Sequence, residues 1–100
     1  MEYPLGIVFI LEIKSFQNIK GKKISITLET QSNITGYQVR YSAKSNMKEA
    51  KSKTSKKSKI VLTRLKKKKI YYIQARAYSN VSGTKKYGSW SKKVKVKINK

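Results

Sequence analysis

Strict alternation of apolar and polar residues constrains this chain more than any other feature. Ile24-Ser25-Ile26-Thr27-Leu28 and Val94-Lys95-Val96-Lys97-Ile98 both follow it, and no stretch keeps a helical period over three turns. A period of two sends successive side chains to opposite faces, so each run suits a strand with one buried and one wet face. Antiparallel sheets tolerate such half-wet strands; helices do not.

From residue 7 onward the β-branched and aromatic residues fall into six short runs separated by Gly, Asn, Ser and Lys clusters. The first covers Ile7 to Phe16, its alternation broken near Phe9 to Leu11, and Asn18 to Lys22 forms the turn after it. The second is the Ile24 run, and Ser32 to Gly36 turns the chain again. The third places Tyr37, Val39 and Tyr41 on one face. Ser42 to Ser58, rich in Lys, Ser and Thr, reads as a long connection holding one weak edge strand, with Met47 and Ala50 as apolar anchors and Lys residues that discourage edge pairing. The fourth run sets Ile60 and Leu62 inward and ends near Leu65. The fifth, after Lys66 to Lys69, sets Tyr71, Ile73, Ala75 and Ala77 inward. Asn80 to Gly88 reads as a loop, and the Val94 run closes the chain. Runs this short and this evenly spaced predict an all-β fold, a two-sheet antiparallel sandwich of about seven strands.

A chain of 100 residues has room for one such core and no second domain. The sequence divides into residues 1–9, an atypical extension or frayed first strand, and a domain over residues 10–100. Leu5 to Leu11 is apolar, but Glu2 stands where a signal peptide would be basic, and the stretch is too short to span a membrane.

Charge is the second constraint. Lys and Arg number 25 against 4 acidic residues, for a formal net charge of +21. Arg40, Arg64 and Arg76 are the arginines, so the positive field comes almost wholly from Lys, a hydrated point charge without Arg's planar fork. Such a field attracts polyanions with little selectivity, and its self-repulsion opposes folding at low salt.

The inventory for chemistry is poor. The chain has no Cys and no His, and its acids are Glu2, Glu12, Glu29 and Glu49. Glu12 and Glu29 can approach one another on the first two strands, but amid so many Lys they suit surface ion pairing better than acid–base work. Ser-x-x-Lys spacings at Ser45, Ser82 and Ser89 are expected by chance in a chain this rich in both residues, and the companion motifs of acyl-serine enzymes are missing. Scattered glycines make no phosphate loop. No catalytic residue, metal site or cofactor is assigned. Asn33-Ile34-Thr35 and Asn80-Val81-Ser82 are sequons that matter only in a eukaryotic secretory route.

Gly36-Tyr37-Gln38-Val39-Arg40-Tyr41-Ser42 resembles the third strand of fibronectin type III domains, and the likeness continues in order along the chain. Leu65, then Tyr71, Ile73, Gln74, Ala75, Arg76, Ala77 and Tyr78 resemble that family's Leu, its corner tyrosine and its sixth strand. Tyr87-Gly88-Ser89-Trp90-Ser91 before Val94, Val96 and Ile98 resembles the approach to the last strand in lysine-rich versions from large bacterial surface proteins. The resemblance runs from about Ile13 to Ile98. Two residues depart from it: Leu28 stands where the second strand usually has Trp, and Lys68 where the turn before the corner tyrosine often has Gly.

The resemblance implies an immunoglobulin-like sandwich in which Leu28, Tyr37, Val39, Tyr41, Leu65, Tyr71 and Ile73 serve the core, and Tyr71 serves as the corner tyrosine. It also implies a noncatalytic, extracellular or cell-surface module with neighbouring domains in a larger chain, monomeric when isolated. Among the aromatics, Tyr72, Tyr78, Tyr87 and Trp90 fall on the outward phase, where rings among lysines could stack on nucleic acid bases. The structural reading of Trp90 is stronger: its ring lies against Arg76 from the neighbouring strand. For Lys66, Lys67, Lys68, Lys69, Lys93, Lys95 and Lys97 the sequence leaves two readings. They are solvated surface, or contacts for a protein, an anionic cell-wall polymer, an acidic polysaccharide or, nonspecifically, nucleic acid.

Overall fold

The computed structural model describes residues 12–30 and 34–100. The sequence expectations for residues 1–9, for the start of the first run and for the turn around Ser32 and Asn33 lie outside these residues.

The described chain is all β. Eight strands follow in order: β1 (Ile13–Ile19), β2 (Lys23–Leu28), β3 (Gly36–Ser42), β4 (Lys51–Ser55), β5 (Lys59–Leu62), β6 (Ile70–Val81), β7 (Thr84–Tyr87) and β8 (Val94–Lys97). They form two antiparallel sheets, one of order β1-β2-β5, the other β4-β3-β6-β7 with β8 also paired to β6.

Between the sheets lies one core, because the inward phase of every central strand is apolar. Ile24, Ile26 and Leu28 from β2 and Ile60 and Leu62 from β5 meet Tyr37 and Val39 from β3, Tyr71, Ile73, Ala75 and Ala77 from β6, and Val96 and Ile98. Leu28 is 1% exposed, so the aliphatic side chain at the family's Trp position is fully enclosed. Tyr41 is half-buried and packs against the core edge-on to Tyr71, ring centroids 6.3 Å apart.

Three boundaries differ from the sequence expectation. β1 continues through Asn18 to Ile19, because Asn18 donates to the Lys23 carbonyl and accepts from the Asn99 and Lys100 backbone N–H groups, pinning the C-terminal residues to this strand. The turn then falls on Lys20 to Lys22, with left-handed backbone at Gly21 and Lys22. Asn80 to Gly88 is a hairpin rather than a loop: β6 extends to Val81, Ser82 and Gly83 make the turn with positive φ, and β7 pairs back. The mixed Lys and Tyr composition of β7 hid it, since all four of its residues are exposed and no alternation marks them.

The edge strand β4 pairs with β3 and is Lys, Ser and Thr throughout. Lys53 on its inward phase reaches across and donates to the Val61 carbonyl at 2.7 Å, closing the sandwich edge with a charge that resists further strand addition.

Candidate functional site

Charged and aromatic side chains gather on two surfaces, the outer face of the larger sheet and the loops at the end of the sandwich where β6 begins.

On the outer face, β3 and β6 pair Gln38 with Arg76 and Arg40 with Gln74. Each arginine is held by the glutamine opposite it. Arg76 Nε donates to Gln38 Oε1 at 2.7 Å, and Arg40 donates to Gln74 Oε1 through Nε at 3.1 Å and Nη2 at 2.6 Å. Gln74 in turn donates to the Ser91 carbonyl at 3.0 Å. These cross-strand pairs hold the two guanidinium groups in place beneath the rings.

Tyr78 comes from β6 and Tyr87 from the end of β7, while Trp90 comes from the segment joining β7 to β8. That segment departs from regular pairing, yet Gly88 and Ser91 donate backbone hydrogen bonds to the Ala77 and Ala75 carbonyls, and the buried Ser91 hydroxyl accepts from the Ala75 N–H. That anchoring presents Trp90 to the face. Arg40 and Arg76 both stand 4.2 Å from the Trp90 centroid, and Arg76 also lies 3.7 Å from the Tyr87 centroid. Tyr87 sits 6.1 Å from Tyr78, which carries Lys85 at 5.0 Å. Lysine, tyrosine, tyrosine, arginine, tryptophan and arginine thus form a continuous ladder. Burial pushes Arg76 below its ordinary pKa; Tyr87 opposes this and Arg40 adds to it. A guanidinium nevertheless stays charged at any biological pH.

The sequence pointed to Arg76 and Trp90, and both belong to this ladder. Arg40, Tyr87, Gln38 and Gln74 were missed as members. Their shared outward phase on β3 and β6 was the available signal. Tyr78 corrects the sequence reading: although on the outward phase it is only 7% exposed. Its register partner is Gly36, and a Cβ there would come within 2.9 Å of the Tyr78 hydroxyl oxygen, so the ring occupies the space a side chain would have filled.

At the end of the sandwich, Tyr71 Oη accepts a hydrogen bond from the Lys66 backbone N–H at 2.9 Å, and Leu65 beside it is buried. Lys66, Lys67, Lys68 and Lys69 are all exposed. Lys68 has φ 67°, the left-handed conformation that a Gly would take without strain. Backbone hydrogen bonds from Lys68 to the Ile98 carbonyl and from Ile98 to the Lys69 carbonyl tie this turn to the chain just past β8. Lys95 and Lys97 are exposed on β8 opposite Tyr72 and Ile70, and exposed Lys93 donates to the Ser45 carbonyl. The Lys66–Lys69 turn therefore adjoins the Lys97 end of β8, while Lys93 reaches the β3–β4 connection.

Glu12 and Glu29 are joined through backbone, Glu29 N–H to the Glu12 carbonyl at 2.9 Å, with both side chains exposed. Among the described residues the ion pair is Lys44 to Glu49 at 2.9 Å, and its hydrogen bond and charge lower the Glu49 pKa. No group of three or more His, Cys, Asp or Glu among the described residues could hold a metal ion. Nor is any described helix long and apolar enough to cross a membrane.

The sequence matches the family model for the fibronectin type III domain over residues 14–97. The chain belongs to the fibronectin type III family. Among solved structures, this fibronectin type III domain is similar to the FN1–FN3 domains of chicken CNTN1, with TM-score 0.77 and 22% identity over 94% of this chain and 33% of that one. It therefore spans about a third of that protein fragment. It is also similar to a solved myokine structure, with TM-score 0.67 and 13% identity over 86% of this chain and 92% of that one. At these identities the likeness is one of fold. No curated protein sequence matches. The comparisons bear out the family and sandwich read from sequence, and give no support to the narrower bacterial lysine-rich subtype.

Proposed function

We propose that this fibronectin type III domain is a noncatalytic module that spaces, presents or attaches neighbouring domains of an extracellular or cell-surface protein. The observation that carries this reading is the braced outer face of the larger sheet. Its arginines, glutamines and large rings are committed to one another, which stiffens the sheet instead of leaving polar groups poised for a substrate. Stiffness is what a spacer needs.

The test is surface labelling of intact source cells with an antibody raised against the domain. Labelling without lysis is expected; a signal only after lysis overturns the surface assignment.

A second reading, a polyanion-binding surface, is favoured by the Lys66–Lys69 turn adjoining β8, which carries Lys95 and Lys97. Its partner would be an acidic polysaccharide or, in a lysine-rich bacterial version of the module, an anionic cell-wall polymer, bound through counterion release. Nucleic acid would be held only nonspecifically, because Trp90, Tyr87 and Tyr78 already carry cations at the faces where bases would stack. Retention on immobilised heparin across a salt series checks it. Loss of retention at physiological salt leaves the spacer reading alone.

A further inference from the structure

The connection between β3 and β4 and the one between β5 and β6 enclose an open cleft of about 520 Å³ at the end of the sandwich. We propose that this cleft is a binding site for one sulfated sugar unit of a glycan chain. The proposal rests on the polyanion reading, shares Lys66 and Lys69 with the surface named there, and places the contact on the β3–β4 connection instead of on Lys95 and Lys97.

The cleft differs from a generic basic surface in three ways. First, it has an aromatic wall: half-buried Tyr41 lines it, backed edge-on by the buried Tyr71 ring and by buried Leu65. A sugar ring can lay its apolar C–H face against the exposed part of Tyr41, whereas bare lysine loops offer charge alone. Second, its charge is nearly all one sign. Lys44, Lys48, Lys51, Arg64, Lys66 and Lys69 line it, and its one carboxylate, Glu49, is already neutralised by Lys44. Five of these six cations are Lys, whose ammonium groups meet a sulfate as point charges without imposing a bidentate geometry.

Third, strain gathers there. Of the six non-glycine residues with left-handed backbone among those described, Glu49 and Arg64 line the cleft, and Met47 and Lys68 lie in its two enclosing connections. Such conformations persist where the surrounding structure holds them, and they concentrate at ligand sites. The hydrogen bond from the Lys66 N–H to Tyr71 Oη supplies that hold, fixing one loop to the aromatic wall.

The volume accommodates one substituted ring, and the cleft is open, so the units on either side of the seated one can continue over the exposed Lys67 and Lys68. A glycan chain uses both features. A compact cyclitol phosphate would use only the first.

Isothermal titration at physiological salt with a heparin-derived tetrasaccharide tests the assignment. Binding is expected at one site per chain, and the desulfated tetrasaccharide should not bind. Replacing Lys48, Lys51 and Arg64 together by Gln should weaken binding at least about tenfold. Replacing Lys56, Lys57 and Lys86 by Gln removes the same charge at the opposite end of the sandwich and should cost less than about threefold. Equal losses in the two triple variants would overturn the cleft while leaving diffuse polyanion binding intact. No binding by the unaltered chain would overturn both. Inositol hexakisphosphate binding more tightly than the tetrasaccharide would overturn the choice of a sulfated sugar. Should the cleft triple fail to fold, amide shifts on titrating the unaltered chain decide instead: changes confined to residues 41–51 and 63–71 support the site, and changes spread over all lysines refute it.

Discussion

Arg76 and Trp90 stand 4.2 Å apart, guanidinium carbon to ring centroid, although they are fourteen positions apart in sequence and the turn of a hairpin lies between them. The contact exists because the segment after β7 returns alongside β6 and is fastened there by Ser91, which donates to the Ala75 carbonyl and accepts from the Ala75 N–H. Trp90 also carries Arg40 from β3, so one ring links β3, β6 and the segment after β7 across the sheet.

Trp90→Ala should therefore cost stability more than any binding. It removes two cation–π contacts, together worth about 2 kcal/mol, which lowers Tm by roughly 8–16 °C in a domain of this size. A thermal melt unchanged by the substitution would refute the structural role of this ring.

Tyr71→Phe keeps the buried ring and deletes only the acceptor for the Lys66 N–H. The loss should be about 1–2 kcal/mol, seen in urea as a lower midpoint at unchanged slope. A change in slope instead would mean that the sandwich itself had loosened.

Gly36→Ala should destabilise although Gly36 lies in an ordinary strand. The new Cβ would stand 2.8 Å from the Ser55 carbonyl oxygen and 2.9 Å from Tyr78 Oη. The backbone oxygen cannot swing aside as a side chain would, so overpacking should cost about 1–3 kcal/mol by chemical denaturation. Pairing it with Tyr78→Ala should recover little, because the Ser55 contact remains.

A formal charge of +21 on a chain of 100 residues should make stability depend on salt. Among the described residues the ion pair is the exposed Lys44–Glu49 contact, so repulsion among lysines goes largely uncompensated. Raising ionic strength from 0.01 M to 0.15 M shortens the screening length from roughly 30 Å to 8 Å. Calorimetry should show Tm rising over that range; a flat or falling Tm would show that the lysines are too dispersed to repel.

Much of the fold was legible in the residues. The alternation in β2 and β8 gave their faces, and the inward phase of β6 was readable from Tyr71 to Ala77, because a period of two survives wherever one face is buried. β7 was not legible, because all four of its residues are exposed and only its pairing with β6 makes it a strand. Tyr78 misled for a related reason. Its phase is outward, but burial there depends on Gly36 opposite and Tyr87 beside it, residues 42 and 9 positions away in sequence.

The sequence by itself determined a half-buried β-sandwich, its apolar interior and its lysine-rich exterior, since periodicity and composition are local and depend on no particular neighbour. Only the tertiary structure decided which outward residues meet: that Arg40 joins Arg76 at Trp90, that Lys66–Lys69 reach β8, and that Tyr41 and Tyr71 wall a basic cleft. Those contacts depend on strand register and on where loops close, quantities set by pairing between distant segments and carried by no short stretch of chain.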